Sequence, residues 1–276
     1  MKMKFYGVRG SIPTPGLNTV RYGGNTPCVE IRDDQTELIL DAGTGIRELG
    51  NDLMKKLPPP KKIEAYLFLS HTHWDHIQGF PFFVPAYIKG NKFDIYGEKK
   101  VDTDLEKTLA GQMLYQYFPV SLKQLKAQIE FHDIVEGDTI EIPQFKIKNI
   151  KSNHPYPGVF SYSIECGDRK VVYATDTEHY DCIDSKLLNL ADHADALIYD
   201  AQYTPEEYKN KHSWGHSTAQ KGIELAKEAK SMRLILFHHD PMHTDKDIDE
   251  ILETNKKIAG KDLDVIAAYE GLCLEL

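Results

Sequence analysis

Short strand-length runs recur along this chain, and each stops at a carboxylate or a histidine. Residues 37–40 lead into Asp41-Ala42-Gly43, 65–69 into Ser70 and His71, 171–174 into Thr175 and Asp176, 196–199 into Asp200, and 234–237 into His238. Apolar runs this short, bounded by polar clusters, read as buried strands. Helical patterns separate them: residues 45–57 place Ile46, Leu49, Leu53 and Leu57 on one face, and a second pattern spans 218–230. Chemistry-bearing residues at strand ends, with helices between the strands, point to an α/β layered fold. Pro58-Pro59-Pro60 follows the first helical pattern and precedes a strand, so it reads as a helix stop and connector. Residues 99–131 read as a mostly helical insertion in a single domain spanning 1–276, with Tyr115, Tyr117 and Phe118 placed either to pack or to wall a site.

The densest strand end is His71-Thr72-His73-Trp74-Asp75-His76. Imidazole suits zinc and other borderline first-row metals, and a carboxylate adds a harder oxygen ligand. In extended backbone, side chains two apart share a side, so His71 and His73 can chelate one ion. Once the chain turns, Asp75 and His76 can face a second. Four ligands do not complete two sites. His154 in Ser152-Asn153-His154-Pro155, Asp176 and His238 are the candidates to complete them. Singly, each has an ordinary explanation as a loop histidine, a turn residue or a core histidine. Their common position just past a strand sets them apart, with His239 or Asp240 as the alternative or supporting group beside His238.

Composition narrows the rest. A chain of 276 residues, 41% hydrophobic and 27% charged, can bury a sizeable core without disulfides. Cys28, Cys166, Cys182 and Cys273 form no CxxC pair, which points to free thiols in a reducing compartment. A net charge of -9 supplies no overall basic field for a nucleic-acid polymer. No stretch approaches the roughly 18 consecutive apolar residues of a membrane span. The opening MKMKFYGVRGS runs straight into strand-like sequence, so a cytoplasmic protein with no membrane partner is expected.

HxHxDH after a strand, then a later His, an Asp and a final His, resembles the metallo-β-lactamase fold superfamily over nearly the whole chain. Leu40-Asp41-Ala42-Gly43 resembles that superfamily's early Asp-containing turn, and Gly24-Asn25-Thr26 resembles its N-terminal loop. The resemblance implies an αβ/βα four-layer sandwich, with two facing mixed sheets, outer helices and the site at one edge. It also implies two divalent metal ions, zinc first, with manganese or iron as alternatives. His71, His73 and His154 would hold one ion, Asp75, His76 and His238 the other, and Asp176 both. Gly215-His216-Ser217-Thr218-Ala219 resembles the HST motif of ribonuclease Z and its small-molecule phosphodiesterase relatives. Tyr199-Asp200-Ala201-Gln202-Tyr203 resembles the acidic segment that partners that histidine, with a shorter Asp in place of Glu. The ordinary alternative makes His216 a helix-start residue, with Ser217 as the cap.

The reaction so implied is phosphodiester hydrolysis by a hydroxide held between metals about 3.5–4 Å apart. Asp75 would anchor that hydroxide, and His216, held by Asp200, would protonate the departing alkoxide. Asp176 follows His154 by 22 positions, which leaves no room for the long tRNA-gripping arm that ribonuclease Z commonly carries there. The expected substrate is a small or cyclic phosphodiester. A carbonyl hydrolase of lactonase, thioesterase or β-lactamase type shares the metal motif, and a non-catalytic metal sensor or partner-binding module shares the fold. The Asp200 and His216 elements favour phosphorus over carbonyl chemistry, and the full ligand set favours catalysis. An exposed insertion would suit a homodimer.

Overall fold

The computed structural model describes residues 1–276 other than Gln35, Pro59 and Pro157, so the middle of the proline connector lies outside the described residues. Its strands are β1 (Lys2–Gly7), β2 (Cys28–Arg32), β3 (Glu37–Leu40), β4 (Glu64–Phe68), β5 (Lys92–Glu98), β6 (Gln128–Ile134), β7 (Thr139–Ile142), β8 (Phe145–Ser152), β9 (Val159–Cys166), β10 (Arg169–Ala174), β11 (Ala196–Asp200), β12 (Arg233–Phe237), β13 (Asp264–Ala267) and β14 (Cys273–Glu275). Helices are α1 (Ile46–Lys56), α2 (Trp74–Ile77), α3 (Leu105–Gln112), α4 (Ser185–Ala191), α5 (Pro205–Tyr208), α6 (Ala219–Glu228) and α7 (Asp245–Ala259). Two seven-stranded sheets result, ordered β14-β1-β2-β3-β4-β5-β6 and β13-β12-β11-β10-β9-β8-β7.

Each sheet is mixed in the same way. Antiparallel pairing joins β14 through β3 and β7 through β10, and parallel pairing joins β3 through β6 and β10 through β13. Parallel strands need a crossover, and a helix on the outer face supplies one at least area cost. Period-2 alternation then sorts the side chains. Met3, Phe5, Ile31, Leu38 and Leu40 of the first sheet meet Ile147, Tyr162, Val171, Tyr173, Ile235 and Phe237 of the second in the central core. On the outside, Leu67, Phe93 and Ile95 pack with Ile46, Leu49 and Leu53 of α1. Val172, Leu197, Leu234 and Leu236 pack with Leu187 of α4, Ile223 of α6 and Ile248 of α7. The four-layer αβ/βα sandwich is the expected fold. Among the described residues no helix is long and apolar enough to cross a membrane.

Two local expectations change. Residues 99–131 are not mostly helical: α3 and a single 3-10 turn at Leu122–Gln124 are the helical parts, and the segment ends in strand β6. Gln128-Ile129-Glu130-Phe131 alternates polar and apolar residues, and its backbone completes the parallel ladder with β5. That period-2 pattern outweighs the helical tendency of what precedes it. Tyr115 and Tyr117 are exposed, and Phe118 packs edge-on to Phe82. The cap of α6 is Thr218, whose side chain accepts from the Lys221 N–H, and not Ser217.

Parallel pairing also fixes where strand ends gather, since ligands collect beyond the carboxyl ends of parallel strands. Here β3, β4, β10, β11 and β12 deliver Asp41, His71, Asp176, Asp200 and His238 to one edge. Strand β8, two antiparallel steps from β10, runs with it and delivers His154. Close backbone contact holds the His71–His76 segment in place. A Cβ on Gly79 would lie 2.0 Å from the Gly43 carbonyl oxygen, although the Gly79 φ of -81° suits any residue. Gly79→Ala is therefore expected to cost about 1–3 kcal/mol through overpacking alone, read as a lowered Tm in thermal unfolding. An unchanged Tm would mean the two loops are not held together there.

Candidate metal centre

Three of the delivering residues leave their strands with a backbone that L side chains rarely adopt: Asp41 has φ 62°, Asp176 φ 52° and His238 φ 60°. Such conformations cost about 1–3 kcal/mol each and persist where the surroundings over-determine them. All three are buried.

Each histidine of the cluster but His73 is oriented through Nδ1. His76 Nδ1 lies 2.8 Å from Asp41 Oδ2, His154 Nδ1 lies 2.9 Å from the Gly215 carbonyl, and His238 Nδ1 lies 2.8 Å from Gln202 Oε1. The Ser70 hydroxyl stands 3.1 Å from His71 Nδ1. A proton held on Nδ1 leaves Nε2 as the lone-pair nitrogen. Those nitrogens converge. His154 Nε2 is 3.1 Å from His73 Nδ1, and His238 Nε2 and His76 Nε2 are each 3.2 Å from Asp176 Oδ2. Asp75 Oδ2 lies 3.2 Å from His238 Nε2 and 3.3 Å from His76 Nε2. The other Asp176 oxygen faces His71 Nε2 at 3.9 Å. Asp176 thus stands between a His71–His73–His154 group and an Asp75–His76–His238 group, and the donor atoms of each lie within 4.8 Å of one another.

This donor set fits divalent cations. Among the described residues, the buried Nε2 atoms of His71 and His76 make no hydrogen bond of proper geometry. An orphaned buried polar atom is costly unless something else occupies its lone pair. Burial pushes His71 well below the ordinary imidazole range and lowers His73 and His154 too. Burial works against ionising Asp75 and Asp176, but His76 and His238 outweigh it and hold both well below the usual carboxylate range. His76 is pushed up instead: burial opposes its charge, but Asp176, Asp75 and Asp41 favour it more strongly. A cation among those carboxylates would take the place of that proton. Neutral imidazoles beside ionised carboxylates are the protonation states that metal binding requires.

His216 stands beside this group, its ring stacked on His238 at 5.0 Å between centroids and its Nδ1 2.8 Å from Asp200 Oδ2. The shorter Asp reaches because Asp200 ends its strand against the loop, where its Oδ1 also accepts from the Gln202 and Ser217 N–H groups. Burial disfavours the imidazolium, but Asp200 outweighs it and raises His216 to about 9. His239 turns away, its Nε2 2.9 Å from the Ala268 carbonyl, and burial lowers it to about 3. Asp240 also faces elsewhere, toward the Met242 N–H and Lys211.

Several supports had no role assigned from the sequence. Asp41 accepts from the Ser70 N–H and hydroxyl and from the Tyr173 hydroxyl, besides facing His76. Gln202 orients His238. Arg9 is fully buried and donates to the carbonyls of Gly23, Asp240 and His243, tying the end of β1 to the loop after His238. The Ser11 N–H donates to Asp75 Oδ2 at 2.8 Å. The strand-end pattern marked the turn at Asp41; nothing in the spacing marks Gln202 or Arg9.

The family model described as beta-lactamase superfamily domain matches residues 36–239. Ribonuclease Z of Bacillus subtilis is 23% identical over 315 aligned positions, covering 99% of this chain and 98% of that protein. That alignment is longer than this chain of 276 residues, so the relative carries segments absent here. Its name is that of a ribonuclease, which stands against the emphasis on small diesters drawn from sequence. The metallo-beta-lactamase fold protein YhfI from Bacillus subtilis superposes with a TM-score of 0.73 at 20% identity, covering 100% of this chain and 98% of that one. Human tRNase Z, short form, superposes with a TM-score of 0.71 at 19% identity, covering 100% and 99%. The chain belongs to the metallo-β-lactamase superfamily and is a metal-dependent hydrolase, with ribonuclease Z among its relatives.

Proposed function

We propose that this chain is a dinuclear phosphodiesterase acting on small or cyclic phosphodiesters. The observation that carries it is the Asp200–His216 pair, 2.8 Å apart and stacked against His238. A proton donor at that position serves a reaction whose leaving group departs as an alkoxide. His71, His73 and His154 would hold one cation, Asp75, His76 and His238 the second, with Asp176 shared. Zinc is the expected metal, with manganese or iron as alternatives. Bound there, such cations supply positive charge for a phosphate oxygen and acidify water.

The chain's own residues do the rest. Asp75, held by the Ser11 N–H, is the carboxylate placed to accept the attacking water's proton. Asp200 holds Nδ1 of His216, so Nε2 carries the proton that passes to the leaving oxygen. Asp200 raises the pKa of His216 to about 9, which favours its protonated form.

The surroundings of the site suit a small substrate. A cavity of about 320 Å³ opens beside His154, lined by Lys151, Asn153, Tyr156, Tyr180 and Lys186 among others. That volume is at the low end of small-molecule sites. Lys151 and Lys186 are each 2.5 Å from a carboxylate, of Glu98 and Glu136 respectively, which offsets part of the positive charge that would attract a polynucleotide backbone. Among the described residues between His154 and Asp176, the strands are those of the β9–β10 hairpin. The ribonuclease name of the relative supports a second reading, in which the substrate is RNA.

Removal of metal by a chelator is expected to abolish turnover and lower Tm, with both restored by zinc, because the buried carboxylates lose their counter-charge. Loss of activity with no change in Tm would place the cations away from this buried cluster. His216→Ala is expected to keep its metal content by elemental analysis. It should lose about 10²–10⁴-fold in kcat on 2′,3′-cyclic nucleotides, and much less on bis(p-nitrophenyl) phosphate, whose leaving group needs no proton. Equal losses on both substrates would remove His216 as the acid. In a substrate panel, small diesters should turn over faster than a 3′-extended tRNA. The reverse order would establish the RNA reading, and hydrolysis of lactones or thioesters alone would move the site to carbonyl chemistry.

A further inference from the structure

Glu178 is 1% exposed and lies two residues past Asp176, yet among the described residues it has no cation partner. A buried carboxylate without a counter-charge is costly unless hydrogen bonds satisfy it. Three do. The Tyr208 hydroxyl and the Ser213 N–H donate to Oε1 at 2.8 and 2.7 Å, and the Gly215 N–H donates to Oε2 at 2.9 Å. All three donors belong to α5 and the loop that leads from it to His216. That loop bends through two positive φ angles, 70° at Ser213 and 90° at Gly215. A Cβ on Gly215 would lie 2.3 Å from His154 Nδ1.

The backbone of Glu178 is anchored as well. Its N–H donates to the Asn153 carbonyl at 2.8 Å, and its carbonyl accepts from Asn153 Nδ2 at 3.2 Å. One residue therefore joins three loops: the one holding His154, the one holding Asp176, and the one holding His216. The Gly215 carbonyl that orients His154 belongs to the peptide whose neighbouring N–H is on Glu178.

We infer that Glu178 is the positioning residue for the proton donor His216. It holds the strained 213–215 turn against the metal-ligand loops, so that His216 reaches the leaving oxygen while its Nδ1 stays on Asp200. This rests on the assignment of His216 as the acid proposed above. The Glu178 carboxylate bonds Tyr208, Ser213 and Gly215 and no candidate ligand, so its loss should weaken proton delivery more than cation binding.

The test compares two leaving groups in two variants. Glu178→Gln keeps the shape but sets an NH2 or a single acceptor against three donors. Tyr208→Phe removes one hydrogen bond and leaves the carboxylate in place, so it reads the same effect if the first variant folds poorly. Displacing a catalytic group by about 1 Å can cost about 10²-fold. On 2′,3′-cyclic nucleotides, kcat should fall about 10–100-fold in Glu178→Gln and by a smaller factor in Tyr208→Phe. On bis(p-nitrophenyl) phosphate both should stay within about threefold of wild type, with metal content unchanged. Equal losses on both substrates, or loss of metal, would make Glu178 a general structural support and overturn the inference. His216→Ala is the control that separates the two claims. If it shows leaving-group selectivity and the Glu178 and Tyr208 variants do not, the positioning role alone is wrong. If His216→Ala shows none, the acid assignment fails and this inference falls with it.

Discussion

Asp41, Asp75 and Asp176 are buried beside His71, His76 and His238, and among the described residues none of those three carboxylates is paired with a lysine or arginine. Ionised carboxylates are tolerated in a protein interior only when something positive or strongly hydrogen-bonding meets them. Here the imidazoles play that part, and a cation among them would play it better. Divalent cations held there would meet the charge of the carboxylates and so contribute to stability. The left-handed backbone at Asp41, Asp176 and His238 belongs to the same account, because the turns that bring these side chains together are themselves unfavourable.

The sandwich resists opening at the edge where the cluster sits. Tyr173 reaches from the second sheet to Asp41 in the first, Tyr162 donates to the Leu69 carbonyl at 2.6 Å, and the Phe160 N–H meets the Ser70 carbonyl at 2.8 Å. These bonds cross between sheets whose facing side chains form a largely apolar core. Both halves also share the change from antiparallel to parallel pairing, which turns the carboxyl ends of the chemistry-bearing strands toward one edge. The outer helices cover the faces and keep water from the parallel strands. Arg9 extends the same bracing to the opposite flank, where three carbonyls hold its guanidinium between the N-terminal loop and the loop after His238.

Beyond the candidate ligands, further carboxylates organise the site. Asp41 fixes His76, Asp200 fixes His216, and Glu178 fixes the loop between them. Such supporting partners decide which ring nitrogen carries the proton and where the other points.

Much of this was legible in the linear chain. The HxHxDH segment is local: its ligands are close in sequence, and the alternation of an extended strand end followed by a turn brings them together with little help from elsewhere. Buried strands were marked by short apolar runs, and the parallel architecture by helical patterns between them. Residues 99–131 went wrong because a short helix and an edge strand both present mixed polar and apolar residues, and only pairing with β5 selects the strand. Tertiary structure alone decided the rest. Which of His238 and His239 faces Asp176 depends on a positive φ that no residue type announced. Asp41, Gln202, Arg9 and Glu178 took their roles from partners far away in sequence, where packing and hydrogen-bond geometry, not spacing, determine what a polar side chain meets.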